Sequence, residues 1–241
     1  MNQLLYLVRH CQVTGQEPNA PLTETGKQQA ISLADRFSKG PISHYTIPPF
    51  ASLMYPNFIS HYHLPDRPPF LSLSDLEGGI DNQIFQDMLN RHKWDENYNR
   101  RFGLNYLKTR VSVENKLREL FIRRGGKPKR QYPIYFVLGE SKWFKYLNVQ
   151  HRVIQIPTSE LPNKSVSVTF PDSYITMTNS KKPYYEKVYF ISEIQDFLSE
   201  YGMPEDEVPK TYEKYWEGDF EKYYEVQVWD DEILRPYNFF I

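Results

Sequence analysis

The stretch LLYLVRHCQVTGQEPNAPLTETGKQQAISLADRF, residues 4–37, decides how the rest of the chain is read. Leu4 to Val8 is a short apolar run of the kind that forms a buried strand. It ends in Arg9 and His10, a cation beside an imidazole. Open α/β sheets bind their ligands at the C-terminal ends of strands. A polar loop follows, and Thr25 with Gln28 three residues on forms a capping-box start. Ala30, Ile31, Ala34 and Phe37 then recur at helical spacing.

This strand–Arg–His unit, followed by Pro21-Leu22-Thr23-Glu24, Gly26 and Gln29-Ala30, resembles the opening of the histidine phosphatase (phosphoglycerate mutase) superfamily. The likeness covers about the first forty residues of 241. It implies His10 as a nucleophile and Arg9 as a phosphate ligand. The family has Gly directly after the His, where this chain has Cys11. It also has a second Arg just beyond a Ser-Pro turn. Here Pro48-Pro49-Phe50 is followed by Ala51, Ser52, Leu53 and Met54. A late strand of the family ends in a second catalytic His, whereas the run Tyr132 to Leu138 ends in Leu138-Gly139-Glu140.

The chemistry at Arg9 and His10 stands on its own terms. A neutral imidazole attacks phosphorus, and the phosphohistidine splits one hard hydrolysis into two easier steps. A planar guanidinium holds two phosphate oxygens at once. The expectation is phosphohydrolase or phosphomutase chemistry on a phosphorylated small molecule. It needs no metal or cofactor, and two charged positions of the family site are missing.

Composition bounds the alternatives. A chain of 241 residues can bury a sizeable core. A net charge of −1 gives no global pull toward nucleic acid or a membrane surface. Eleven glycines argue against a glycine-rich nucleotide loop as the organising device, and one cysteine excludes an intramolecular disulfide or a thiolate zinc cluster. No apolar run approaches the roughly twenty residues of a membrane span. No signal peptide opens the sequence, so the expected compartment is the cytoplasm.

The remaining chain reads as a mixed α/β (α+β) region, residues 41–241, following the β-loop-α segment of residues 1–40. Ile42 to Thr46 reads as a strand. The proline-dense stretch 47–70, with His61-Tyr62-His63, reads as a loop packing its aromatics. Leu71 to Asp75 is a short strand or turn. Helices are expected at Asp81–Lys93, Asn105–Arg124, Ser141–Leu147 and Ser192–Tyr201, the last with Ser192 and Gln195 as its capping box. Strands are expected at Tyr132–Leu138, Arg152–Ile156, Ser165–Phe170, Val188–Phe190 and Tyr223–Trp229. Pro171-Asp172-Ser173 reads as a turn. Lys108 to Arg130 carries nine Lys or Arg against Glu114 and Glu119. It is either a patch for phosphate or nucleic acid, or a solvated helix face. The acidic stretch from Glu193 to Glu232 is its counterweight, within the fold or across a dimer.

A second reading comes from another class of chemistry. Residues 42–241, with an early His-Tyr-Thr and a closing strand bearing one Glu, are faintly similar to ADP-ribosyltransferase folds. That resemblance implies His44 as a contact to NAD and Glu225 as the catalytic acid. Alternation along the strand alone would instead place Glu225 on an outward face. A third possibility joins a phosphatase fragment to a domain of separate, non-catalytic role.

Overall fold

The computed structural model of the chain describes residues 56–102, 105–204 and 221–238. The strand expected at 4–8, the strand at 42–46 and the boundary near residue 40 lie outside them. Within them the chain is mixed α and β, with helices on both sides of one sheet.

The sheet is built from β1 (Phe58–His63), β2 (Ile134–Leu138), β3 (Arg152–Pro157), β4 (Val166–Thr169), β5 (Tyr189–Phe190) and β6 (Glu225–Val228), in the order β3-β1-β2-β6-β4-β5. Every neighbouring pair is antiparallel. The helices are α1 (Gln83–Asn90), α2 (Tyr106–Arg123), α3 (Lys142–Leu147), α4 (Ser173–Thr178), α5 (Ile194–Tyr201) and α6 (Asp231–Leu234). None of these helices is long and apolar enough to cross a membrane.

Alternation sorts each strand onto two faces. Ile59, Ile134, Phe136, Leu138, Ile156, Val166, Val168, Val226 and Val228 form one buried cluster with Ile194 and Phe197 of α5 and Leu234 of α6. On the other face α2 packs through Val113, Leu117 and Phe121 against Met177 of α4 and Trp229. Trp143 and Leu147 of α3 join Val137 and Tyr223 there.

Most local signals act as read. Ser141 caps α3, its hydroxyl accepting from the Phe144 N–H at 3.4 Å. Gly125 ends α2 with φ of 95°, a left-handed conformation suited to glycine, while its N–H bonds the Ile122 carbonyl at 2.8 Å. Three expectations are corrected. The proline-dense stretch holds β1, an interior strand of six residues, because no proline lies between Pro56 and Pro65. Pro171-Asp172-Ser173 is not only a turn: Asp172 starts α4 by accepting from the Ile175 N–H at 2.8 Å. The box before α5 is set by Glu193, whose carboxylate accepts from the Phe190 N–H at 2.6 Å.

Six of the nine cations of the basic segment have partners within the fold. Arg110 pairs with Glu114, Lys116 with Glu186, Arg124 with Glu193, Lys129 with Asp230, and Arg130 with Asp75 and Asp231. Arg118 donates to the carbonyls of Pro128 and Arg130. Glu193, Asp230 and Asp231 come from the acidic stretch, so the two charge runs meet inside one chain.

Candidate active site

The second face of the sheet is polar at its centre. Tyr135 of β2 stands opposite Gln227 of β6, and Ser167 of β4 flanks Gln227 on the other side. One row along, Glu225 lies between Val137 and Thr169. Ser167, Thr169 and Gln227 are completely buried. Their hydrogen bonds form a chain with a fixed direction. The Trp229 indole, which can only donate, gives its N–H to the Ser167 hydroxyl at 2.8 Å. Ser167 then donates to Gln227 Oε1 at 2.7 Å. That leaves the Gln227 amide N–H₂ to reach Thr169 Oγ1 at 2.9 Å and Glu225 Oε1 at 3.0 Å.

Glu225 Oε1 also accepts from the backbone N–H of Ser173 at 3.0 Å. The start of α4 therefore brings Asp172 up to Glu225, and two partly buried carboxyls share one wall. Burial raises Asp172 first and the charge of Glu225 adds to it, pushing its pKa up to about 7. Burial also raises Glu225, opposed by hydrogen bonds from Ser173 and Gln227 and by the positive charge of Arg110. Glu225 has the richer set of donors and the cation, so it ionises first and Asp172 keeps the proton near neutral pH.

Arg110 enters from α2. Its Nε lies 2.9 Å from Glu114 Oε1, its Nη1 donates to the Tyr106 hydroxyl at 2.9 Å, and its guanidinium sits 4.6 Å over the Tyr135 ring. Tyr135 in turn donates to Glu114 Oε1 at 2.9 Å. Burial works against the Arg110 charge, but Tyr106, Glu114 and Tyr135 outweigh it and raise its pKa. Burial and the Glu114 charge push the Tyr135 phenol up, so it remains a hydrogen-bond donor.

These groups border a cavity of about 980 Å³, within the range of small-molecule sites. Asp172, Glu225, Tyr135 and Arg110 line one part of it. Tyr62, Phe144 and Tyr223 form an aromatic part, with ring centroids 5.4 Å apart for Tyr62 and Phe144 and 5.1 Å for Phe144 and Tyr223. Arg67, Arg100 and Arg101 add cationic lining, Arg67 in a pair with Asp87 and Arg100 stacked on Phe102.

His61 and His63 share one strand face with rings 6.1 Å apart, as an i, i+2 pair should. Their nitrogens serve the backbone. His61 Nδ1 donates to the Tyr135 carbonyl at 2.8 Å while its Nε2 accepts from the Phe70 N–H at 3.2 Å. Burial lowers its pKa to about 4, which fixes the ring as neutral. His63 Nδ1 donates to the Leu64 carbonyl at 3.0 Å. No group of three or more His, Cys, Asp or Glu among the described residues could hold a metal ion.

Of the residues singled out from sequence, Arg9, His10 and His44 lie outside the described residues. Glu225 lies inside and lines the cavity, where alternation alone would have allowed an outward face. Asp172, Tyr135, Arg110 and Gln227 were not anticipated. Their signal was present in part: Ser167 with Thr169, and Glu225 with Gln227, are polar at every second position of strands that are otherwise valine. The chain matches no protein-family model, curated protein or solved structure in the three comparisons made.

Proposed function

We propose that this cavity breaks the bond between a ribosyl carbon and a base in a nucleotide substrate, by hydrolysis or by transfer to an acceptor hydroxyl. The observation that carries the reading is the pair of partly buried carboxyls, Asp172 and Glu225, brought together by the Ser173 N–H bond to Glu225 at the wall of a cavity large enough for a nucleotide. Two carboxyls with separated proton affinities divide the roles of acid and charge stabiliser in glycosidic cleavage. Arg67, Arg100 and Arg101 supply cations suited to the substrate's phosphates. This reading sharpens the NAD-using expectation for residues 42–241 and keeps Glu225 as its central residue. Six of the nine cations of the basic segment have internal partners, 110, 116, 118, 124, 129 and 130, which favours its reading as a helix face of the fold.

The C1′–N bond breaks and its electron pair leaves with the base, and ionised Glu225 faces the positive sugar carbon. A purine takes the proton of Asp172 as it leaves, and the water or acceptor hydroxyl that adds to C1′ returns a proton to Asp172. Nicotinamide leaves NAD neutral, and the proton of the adding water or hydroxyl then passes to solvent.

Two substrates separate the two roles. A purine base must be protonated to leave, whereas the nicotinamide of NAD leaves neutral without a proton. Glu225→Gln is expected to lower cleavage of both NAD and AMP by 10²-fold or more, on the order of a positioned catalytic carboxylate. Asp172→Asn is expected to lower AMP cleavage by a similar factor and to spare NAD. Unchanged turnover in Glu225→Gln would refute the reading.

Phosphoryl transfer at Arg9 and His10 remains a separate proposal, carried by the sequence resemblance. It predicts turnover of p-nitrophenyl phosphate that is lost in His10→Ala and retained in Glu225→Gln.

A further inference from the structure

Arg110 reaches the cavity from α2 with its N–H donors divided between two sides. Nε lies 2.9 Å from Glu114 Oε1 and donates to Ser74 Oγ at 3.3 Å, and Nη1 donates to the Tyr106 hydroxyl at 2.9 Å. The N–H groups of Nη2 bond none of the described residues. Nη2 is not sealed from solvent, and 15% of the side chain remains exposed. With the Tyr135 ring covering one face of the guanidinium at 4.6 Å, the open end of Arg110 is presented to the cavity it lines.

Tyr106 carries a further unused donor beside it. The phenol oxygen accepts from Arg110 Nη1 and, at 3.3 Å, from Arg100 Nη2. Those two bonds use its accepting capacity. Its own O–H meets no acceptor among the described residues, and Tyr106, Arg100 and Arg110 all line the cavity. A neutral phenol thus draws two guanidiniums to one oxygen and cancels the charge of neither. Glu114 is completely buried, so the carboxylate that pairs with Arg110 does not face the cavity. What faces it here is a set of donors on a fixed cation, and that set fits an oxyanion.

The position of the cluster says which oxyanion. Arg110 lies over Tyr135, and Tyr135 and Glu225 are diagonal neighbours on one face of β2 and β6, roughly 7–8 Å apart by sheet geometry. In a nucleotide the 5′-phosphate is joined to C1′ through the sugar ring and one methylene, a span of the same order. We infer that Arg110 and Tyr106, with Arg100 drawn up beside them, bind the phosphate on the ribose whose C1′ bond is cut, so that the site selects nucleotides over nucleosides. The inference rests on the preceding reading, which places C1′ at Glu225 and Asp172. AMP and the nicotinamide half of NAD both carry a phosphate at this position.

Calorimetry on Glu225→Gln protein, in which turnover is slowed, tests this with AMP and adenosine, two ligands that differ only by the phosphate. AMP is expected to bind at least about tenfold more tightly than adenosine. Adding Arg110→Lys, which keeps a cation for Glu114 and removes the planar fork, should erase most of that preference and leave adenosine unchanged. Adding Tyr106→Phe, which keeps the ring and removes only the hydroxyl, should weaken AMP by about five- to tenfold and spare adenosine. This milder variant gives the answer if Arg110→Lys fails to fold. Equal affinity for AMP and adenosine, or a Tyr106→Phe protein in which both ligands weaken alike or neither weakens, overturns the inference. The cleavage chemistry is judged separately by turnover: AMP cleavage lost in Glu225→Gln keeps that reading even when the phosphate preference is absent. A Glu225→Gln protein that binds neither ligand overturns both.

Discussion

The two faces of this sheet are made by the same strands and differ in almost every physical respect. On one, Ile134, Phe136, Val166, Val168, Val226 and Val228 are sealed against α5 and α6. On the other, one residue along each strand, Ser167, Thr169, Glu225 and Gln227 hold a chain of hydrogen bonds, and Tyr135 bonds Glu114 of α2. The first face gains free energy simply by leaving water. The second gains little: each of its polar groups is desolvated and must be repaid by a partner of correct geometry. The proposed function is the reading under which such a face is kept at the centre of the fold for chemistry.

Substitution on the apolar face should act on stability alone. Phe136→Ala is expected to destabilise the protein by about 3–5 kcal/mol, the range for deleting a buried aromatic ring. Chemical denaturation would measure it, and a loss under 1 kcal/mol would mean that this face is less tightly packed than described.

Two titrating groups, one near each face, give opposite pH signatures. His61 is neutral when folded, with its pKa lowered by burial from 6.5 to about 4. As pH falls from 6.5 to 4 the unfolded chain takes up a proton that the folded chain refuses. Stability should drop by about 3 kcal/mol over that interval. Asp172 is raised from 3.8 to about 7, so the unfolded chain releases its proton first. Its contribution is present below pH 3.8 and is lost as pH rises to 7. The two slopes oppose each other in wild type. His61→Gln should remove the acid-side loss and expose a decline toward neutral pH. Asp172→Asn should melt higher than wild type at pH 7.5, with the advantage gone by pH 4. Denaturant midpoints across this range would show both effects, and parallel curves for all three proteins would contradict the assignment.

A smaller effect distinguishes the relay on the polar face. Gln227→Leu leaves Ser167 and Thr169 without their shared partner and should destabilise by about 1–3 kcal/mol. It should also shift the pH dependence of turnover upward, since Glu225 loses a donor that favours its ionised form. Stability loss with an unmoved pH profile would make Gln227 a purely structural residue.

Much of the framework was legible because it rests on local rules. The stripe of Leu117 and Phe121, the Gly125 stop and the alternation at Val166 to Thr169 act over a few residues, and each element formed where those rules put it. β1 was hidden by the prolines around it, since the signal of Phe58 to His63 is short and its flanks read as a breaker. The site was less legible still. Asp172 meets Glu225 only because β4 and β6 pair in one register and α4 turns the chain back onto them. Arg110 arrives from a helix whose basic residues read as a surface run. Nothing within a few positions of any of these residues announces the others, whereas partners brought together by the sheet are visible only once its strand order is known.

Glu225→Gln, followed by turnover and thermal stability on one preparation, tests the central claim most directly. A polar face kept for catalysis predicts a protein that melts at or above the wild-type temperature, because a partly desolvated charge beside Asp172 is gone, and that cleaves NAD at least 10²-fold more slowly. A protein that melts lower and cleaves NAD at the wild-type rate would show that Glu225 holds the fold together and does no chemistry.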